Sequence, residues 1–380
     1  MNQRLAFGLV ASLSVSLGTF ALVGCGGSTS SNPGGPANDG GGSDATPVTG
    51  DSGPSNDGGS PDAGTPAEAC AAYAEARCTQ LDACSNATYT VLHYGTQTTC
   101  MSNVAAECVN ALAAPQTAAT PRFYAACAAA VATESCANLF GANPPAACAP
   151  LAGPLATGSP CFASGQCQTT YCAVPSTANC GVCAAVPVAG NPCSVDADCG
   201  SRNQLTCSKA GTCVTYGELS ASCDKNDPCS PGLSCVGADA KKGLAGTCNA
   251  SAATVGAACD PATGATCDAM LLLTCDAATK QCVADTLVGA SQVCGAVNGG
   301  AARCETSGTC VIPDAGVVDD AGDAGVDAGP AIGTCLAAAA NGSACDSANG
   351  PACVPPAKCV TTDDASTAGT CLVGVSTACN

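Results

Sequence analysis

The chain has 380 residues, a net charge of −18 and a pI near 4.1, with 11 Lys and Arg against 29 Asp and Glu. So few cations exclude nucleic acid as a partner, and charge-driven adhesion to an anionic lipid surface, because both need a dense basic patch. Leu, Ile, Val and Phe number 56 of 380, too few for a conventional core, whereas 35 Cys offer disulfides in its place. Such bridges persist only outside the reducing cytosol.

Residues 1–24 read as an export signal: Arg4, an apolar run from Leu5 to Val23, then Leu22-Val23-Gly24-Cys25. This resembles the lipobox of bacterial lipoproteins. The resemblance implies cleavage before Cys25, a diacylglyceryl group on its sulfur and acylation of the new amino group. Gly26 rather than Asp after that cysteine resembles the sorting pattern for the outer membrane. The expected membrane partner is therefore engaged through a lipid anchor, each buried methylene contributing about 0.8 kcal/mol.

Residues 25–67 form a linker of Gly, Ser, Pro, Asn, Asp and Thr, ending near Pro66. Its composition buries too little to offset ordering entropy, so disorder is expected, with a root-mean-square span of roughly 35 Å.

Residues 68–150 are Ala-rich and carry Cys70, Cys78, Cys84, Cys100, Cys108, Cys127, Cys136 and Cys148. Helical spacing joins Cys70, Ala74, Cys78 and Leu81, and again Cys100, Val104, Cys108 and Leu112. Thr120 reads as a cap with Pro121 at the first position of a third helix burying Phe123, Cys127 and Val131. The expectation is a short all-α domain of three or four helices stapled by cystines, their pairing open among 105 possibilities. His93, the only histidine, is expected in a loop between the first two helices.

From 151 to 380 the cysteines recur in units near 30 to 40 residues long, the mark of a module array. They are Cys161, Cys167, Cys172, Cys180, Cys183; Cys193, Cys199, Cys207, Cys213; Cys223, Cys229, Cys235, Cys248; and Cys259, Cys267, Cys275, Cys282. Then follow Cys294, Cys304, Cys310, Cys335; Cys345, Cys353, Cys359, Cys371; and finally Cys379. Leu205, Leu233 and Leu273 each stand two residues before a third Cys, and one such side chain plus two bridges is all the core a unit has. Gly-Thr-Cys closes several units, as at Gly211, Gly246, Gly333 and Gly369, where the glycine suits a tight turn into a short strand.

The spacing C-x5-C-x4-C-x7-C-x2-C from Cys161 to Cys183 resembles the amino-terminal cysteine-rich module of the Dickkopf family, and the later units are looser versions. That resemblance implies extracellular protein recognition. Lipobox, Asp-Ala-Gly spacer, helical cysteine region and repeats together resemble cysteine-rich surface lipoproteins of myxobacteria.

Setting aside Cys25 leaves 34 cysteines, an even number, in which Cys183 and Cys379 are the odd members. They pair with one another, or Cys379 begins a truncated seventh unit. Cys180-Gly181-Val182-Cys183 has the form of a redox or zinc pair but lacks the βαβ context of one and the second pair of the other. The insertion 314–330, with Asp-Ala-Gly at Asp314, Asp320, Asp323 and Asp327, lacks an EF-hand pattern and reads as a disordered loop. No catalytic arrangement, cofactor site or metal site emerges.

The fold class expected is small and disulfide-rich: a short all-α cystine-stapled domain, then modules of short β-hairpins, with disordered linkers. The function expected is non-catalytic binding of a protein or glycan, or surface structure, at the outer membrane, facing either the exterior or the periplasm. The alternatives are a periplasmic thiol- or metal-handling protein with reduced cysteines, or a hydrolase using His93. Oligomeric state is left open.

Overall fold

Thr65 caps the first helix of the described chain. Its hydroxyl accepts from the Glu68 N–H while the Glu68 carboxylate accepts from the Thr65 N–H at 2.7 Å, a reciprocal cap with Pro66 in the first turn. A computed structural model describes residues 64–379 apart from 142, 201–203, 225, 240–241, 298, 314–331 and 363–365. The signal, Cys25, most of the linker and the Asp-Ala-Gly insertion lie outside the described residues. The linker's predicted end shifts back slightly, since Pro66 and Ala67 already belong to the helix.

Five helices follow: α1 (Pro66–Ser85), α2 (Thr88–Tyr94), α3 (Gln97–Leu112), α4 (Pro121–Val131) and α5 (Cys136–Phe140). Cys70, Ala74, Cys78 and Leu81 are buried along α1, and Cys100, Val104 and Cys108 along α3. Bridges Cys70–Cys108 and Cys78–Cys100 staple α1 to α3, Cys84–Cys136 ties α1 to α5, and Cys127–Cys148 ties α4 to a following turn. Thr120 caps α4 with Pro121 in its first turn, and Cys127 and Val131 are buried, but Phe123 is only half-buried. His93 sits on α2 rather than in a loop, because a turn at Asn86 and Ala87, both with positive φ, restarts the helix early.

Each of the six modules uses one pairing, first Cys to third and second to last. Cys161–Cys172 with Cys167–Cys183 begins the series, then Cys193–Cys207 with Cys199–Cys213, Cys223–Cys235 with Cys229–Cys248, and Cys259–Cys275 with Cys267–Cys282. Cys294–Cys310 with Cys304–Cys335 and Cys345–Cys359 with Cys353–Cys371 complete it. A bridge closing a 15-residue loop is worth about 3 kcal/mol in the chain-entropy picture, so two per module replace the missing apolar core. The buried clusters are accordingly cystine plus one or two aliphatics: Cys199, Leu205 and Cys213 in the second module, Cys259, Cys267, Leu273 and Cys282 in the fourth.

The closing glycines split into two kinds. Gly246, Gly369 and, in the first module, Gly181 lie inside the middle strand of a three-stranded antiparallel sheet, and Gly333 lies in a strand with antiparallel neighbours on both sides in a five-stranded sheet, none of them in a turn. A Cβ on Gly246 would come within 2.6 Å of the Val236 carbonyl oxygen and 2.9 Å of the Cys235 sulfur, so space demands glycine there. In the second module the turn expectation holds, since Gly211 has φ +77°. The fourth module puts Lys280 at the matching position with φ +53°.

Both alternatives for Cys379, pairing with Cys183 or opening a truncated unit, are corrected. Cys183 is the first module's own fourth cysteine, and Cys180 is the extra one, bonded to Cys379. Cys379 therefore begins no seventh unit; it ties the chain's far end to the first module, where Asn179 also donates to the Leu372 carbonyl at 3.2 Å. Modules also meet the helices. The main-chain N–H of Thr306 donates to Val91 and that of Ser307 to Leu92, Thr88 donates to the Met270 carbonyl, and Asn103 donates to that of Pro355. The described residues cluster as one compact unit, so the repeats fold back on the helices instead of trailing as a string.

Candidate functional site

A cleft of about 500 Å³ opens between α1, α3, α4, α5 and the first module, within the size range of small-ligand sites. The bridges make it. Cys70–Cys108 holds α1 beside α3, Cys127–Cys148 anchors α4, and Cys108, Cys127 and Cys148 themselves line the floor. Tyr73 and Arg77 stand four residues apart on α1, so both present to the same side. Phe123 and Tyr124, in the first turn of α4, complete an aromatic wall: Tyr124 meets Tyr73 edge-on at 5.4 Å between centroids and Phe123 at 5.1 Å.

The first module supplies the rim. Gln166, 4% exposed, accepts from the N–H groups of Phe162 and Ala163 at 2.7 and 3.0 Å and donates to the Pro115 carbonyl at 2.7 Å. Ala118 N–H donates to Gly165 at 2.8 Å. These bonds fix Ala163, Ser164 and Gly165 at the edge of the cleft.

Its electrostatics are mixed. Arg77, Glu107 and Glu134 all line it. Burial pushes the Glu134 carboxyl up, with Arg77 opposing, and one Glu134 oxygen is buried without a hydrogen-bond partner. Leaving such an atom unpaired costs roughly 1–3 kcal/mol. Burial, with Tyr73 and Glu107 adding to it, pushes the Tyr124 phenol up to about 12, so it is a neutral hydroxyl at physiological pH.

His93 does not line this cleft. Its ring lies on that of Tyr89 with centroids 4.1 Å apart, burial pulls its pKa down, and the nearby Ser307 hydroxyl donates to its main-chain carbonyl rather than to the imidazole. Cys180 and Cys183 belong to different bridges, Cys180–Cys379 and Cys167–Cys183, so they do not act together as a dithiol. Sulfurs of Cys161, Cys167 and Cys183 lie within 4.8 Å of one another, as do those of Cys223, Cys229 and Cys248. This convergence arises because each module's two bridges lie side by side, and every one of these sulfurs is already bonded to another.

The aromatic wall does not follow from helical spacing, which predicts Phe123 in a core. The signal was there: six of the 11 aromatic residues, Tyr73, Tyr89, Tyr94, Phe123, Tyr124 and Phe140, fall between 73 and 140. No known protein family, curated protein or solved structure matches the chain. Among the described residues no helix is long and apolar enough to cross a membrane.

Proposed function

We propose that the chain is an outer-membrane lipoprotein, anchored through acyl groups on Cys25, that works by non-catalytic recognition of a protein or glycan. In this reading the helices of 68–150 form a recognition domain and the modules of 151–380 its rigid frame. The observation that carries it is the complete bridging of the described cysteines: 17 bridges engage all 34 from Cys70 to Cys379. Full oxidation fits an exported protein, and a crosslinked cleft loses little conformational entropy when it binds.

Metabolic labelling with a palmitate analogue, followed by membrane fractionation, tests the anchor. The native chain should carry label and fractionate with the outer membrane, and Cys25→Ala should carry none; label on the variant, or none on the native protein, rejects it. Counting thiols in the denatured, unreduced protein tests the other half. A count near zero agrees with rigid modules, whereas many thiols favour the metal- and thiol-handling reading, for which the convergent sulfurs would be the ligands.

A further inference from the structure

Two charged groups in the cleft feel one another electrostatically, yet among the described residues neither side chain is held by a hydrogen bond or a salt bridge. Arg77 lines it and makes neither a hydrogen bond nor a salt bridge among the described residues. Glu134 is 9% exposed and one of its carboxylate oxygens is buried without a hydrogen bond. Beside them stand the rings of Tyr73, Phe123 and Tyr124, with Phe140 also in the lining. A chain with no Trp and 11 Tyr and Phe thus commits four of them to one cleft.

Each class of ligand can be weighed against this set. A wholly apolar ligand would leave Arg77 and Glu134 desolvated and still unpaired. An anion would satisfy Arg77 but meet Glu134 and Glu107, on a chain whose net charge is −18. A cation would meet Arg77. Hydroxyl groups both donate and accept, so neighbouring hydroxyls on one ring answer a guanidinium and a carboxylate together. The C–H face of a sugar ring presents weakly positive hydrogens, which suit the negative face of an aromatic ring.

We infer that the cleft between α1, α3, α4 and the first module is a binding site for a neutral saccharide. This rests on the recognition reading above and names the ligand class within it. In the bound state Arg77 and Glu134 share the hydroxyls of one ring, and Tyr73, Phe123 and Tyr124 flank its apolar face.

The test is calorimetric titration of the full-length, disulfide-intact protein in detergent. Cellotetraose, maltotetraose and chitin tetraose serve as neutral probes, tetragalacturonate as the anionic probe and the chitosan tetramer as the cationic one. At least one neutral probe should bind saturably, with Arg77→Met and Phe123→Ala each weakening it about tenfold or more. Val255→Ala, at an exposed position outside the cleft, should leave it unchanged. Circular dichroism checks folding, and if Arg77→Met fails to fold, the half-buried Phe123 carries the comparison. Failure of all three neutral probes, binding confined to a charged oligomer, or neutral binding indifferent to Phe123→Ala would each overturn the inference. None of these outcomes bears on acylation of Cys25, so the anchor reading stands or falls separately.

Discussion

Cys180 and Cys379 are bonded with their Cα atoms 5.3 Å apart, although 199 residues separate them in sequence. Every other bridge spans 52 residues or fewer, the longest being Cys84–Cys136. This one bond fastens the last module to the first. In an otherwise uncrosslinked chain a loop of that length would contribute about 5 kcal/mol, and less here because the bridges inside it already shorten the unfolded loop.

Replacing both cysteines, Cys180→Ser with Cys379→Ser, should therefore lower stability by about 2–4 kcal/mol without unfolding the individual modules. Guanidinium unfolding gives the loss, and limited proteolysis should cut first near residues 372–379. An unchanged midpoint would mean that the hydrogen bonds from Asn179 to the Leu372 carbonyl and from the Thr361 N–H to the Thr177 carbonyl hold the seam unaided.

The two kinds of closing glycine should respond differently. Gly246→Ala pushes a methyl group against the Val236 carbonyl and Cys235 sulfur and should cost about 2–3 kcal/mol. Gly211→Ala, where the constraint is φ +77° rather than space, should cost about 1 kcal/mol. Lys280→Gly relieves a left-handed residue but gives up its exposed pairing with Asp260, so its midpoint should stay within about 1 kcal/mol of native. Equal costs at Gly246 and Gly211 would refute the distinction.

Arg303 donates to Asp285 at 2.6 Å, and the Asp285 side chain is fully buried while also accepting from the Ala301 N–H. This pair lies at the joint between the fourth and fifth modules. Arg303→Met leaves a buried carboxylate uncompensated and should cost about 3–5 kcal/mol. Adding Asp285→Asn, which keeps an acceptor for Ala301, should recover part of that loss; a double variant no better than the single one argues that packing, not charge, is at stake.

Asp346 gives the sixth module an acid dependence. Hydrogen bonds from the N–H groups of Ala348 and Asn349 and from the Asn349 side chain hold its pKa down at about 2, against an ordinary 3.8. A folded-state value below the unfolded one means the contribution is complete above pH about 4 and is lost as pH falls towards about 2. Stability measured across that window should fall more steeply for the native protein than for Asp346→Asn. Parallel slopes would assign the acid loss to other carboxylates.

Much of the frame was legible because the cysteines set it. Spacing of four marked the buried faces of α1 and α3, and Thr120-Pro121 marked the start of α4. Pairing was not legible, since Cys180 and Cys183 differ in partner but not in local pattern, and only three dimensions show which one lies beside Cys172 on a neighbouring strand. The cleft was hidden for a similar reason. Tyr73, Phe123 and Phe140 are separated by up to 67 residues, and the bridges from α1 to α3 and α5 and from α4 to its following turn, rather than any motif, bring them together.

The bond between Cys180 and Cys379 has a consequence for resistance to proteolysis. A single peptide-bond cleavage anywhere between Cys180 and Cys379 opens a ring instead of freeing a fragment, because both new halves stay joined through sulfur. Over more than half its length the chain withstands one scissile event without shedding any piece, and a second cut is needed before anything is released.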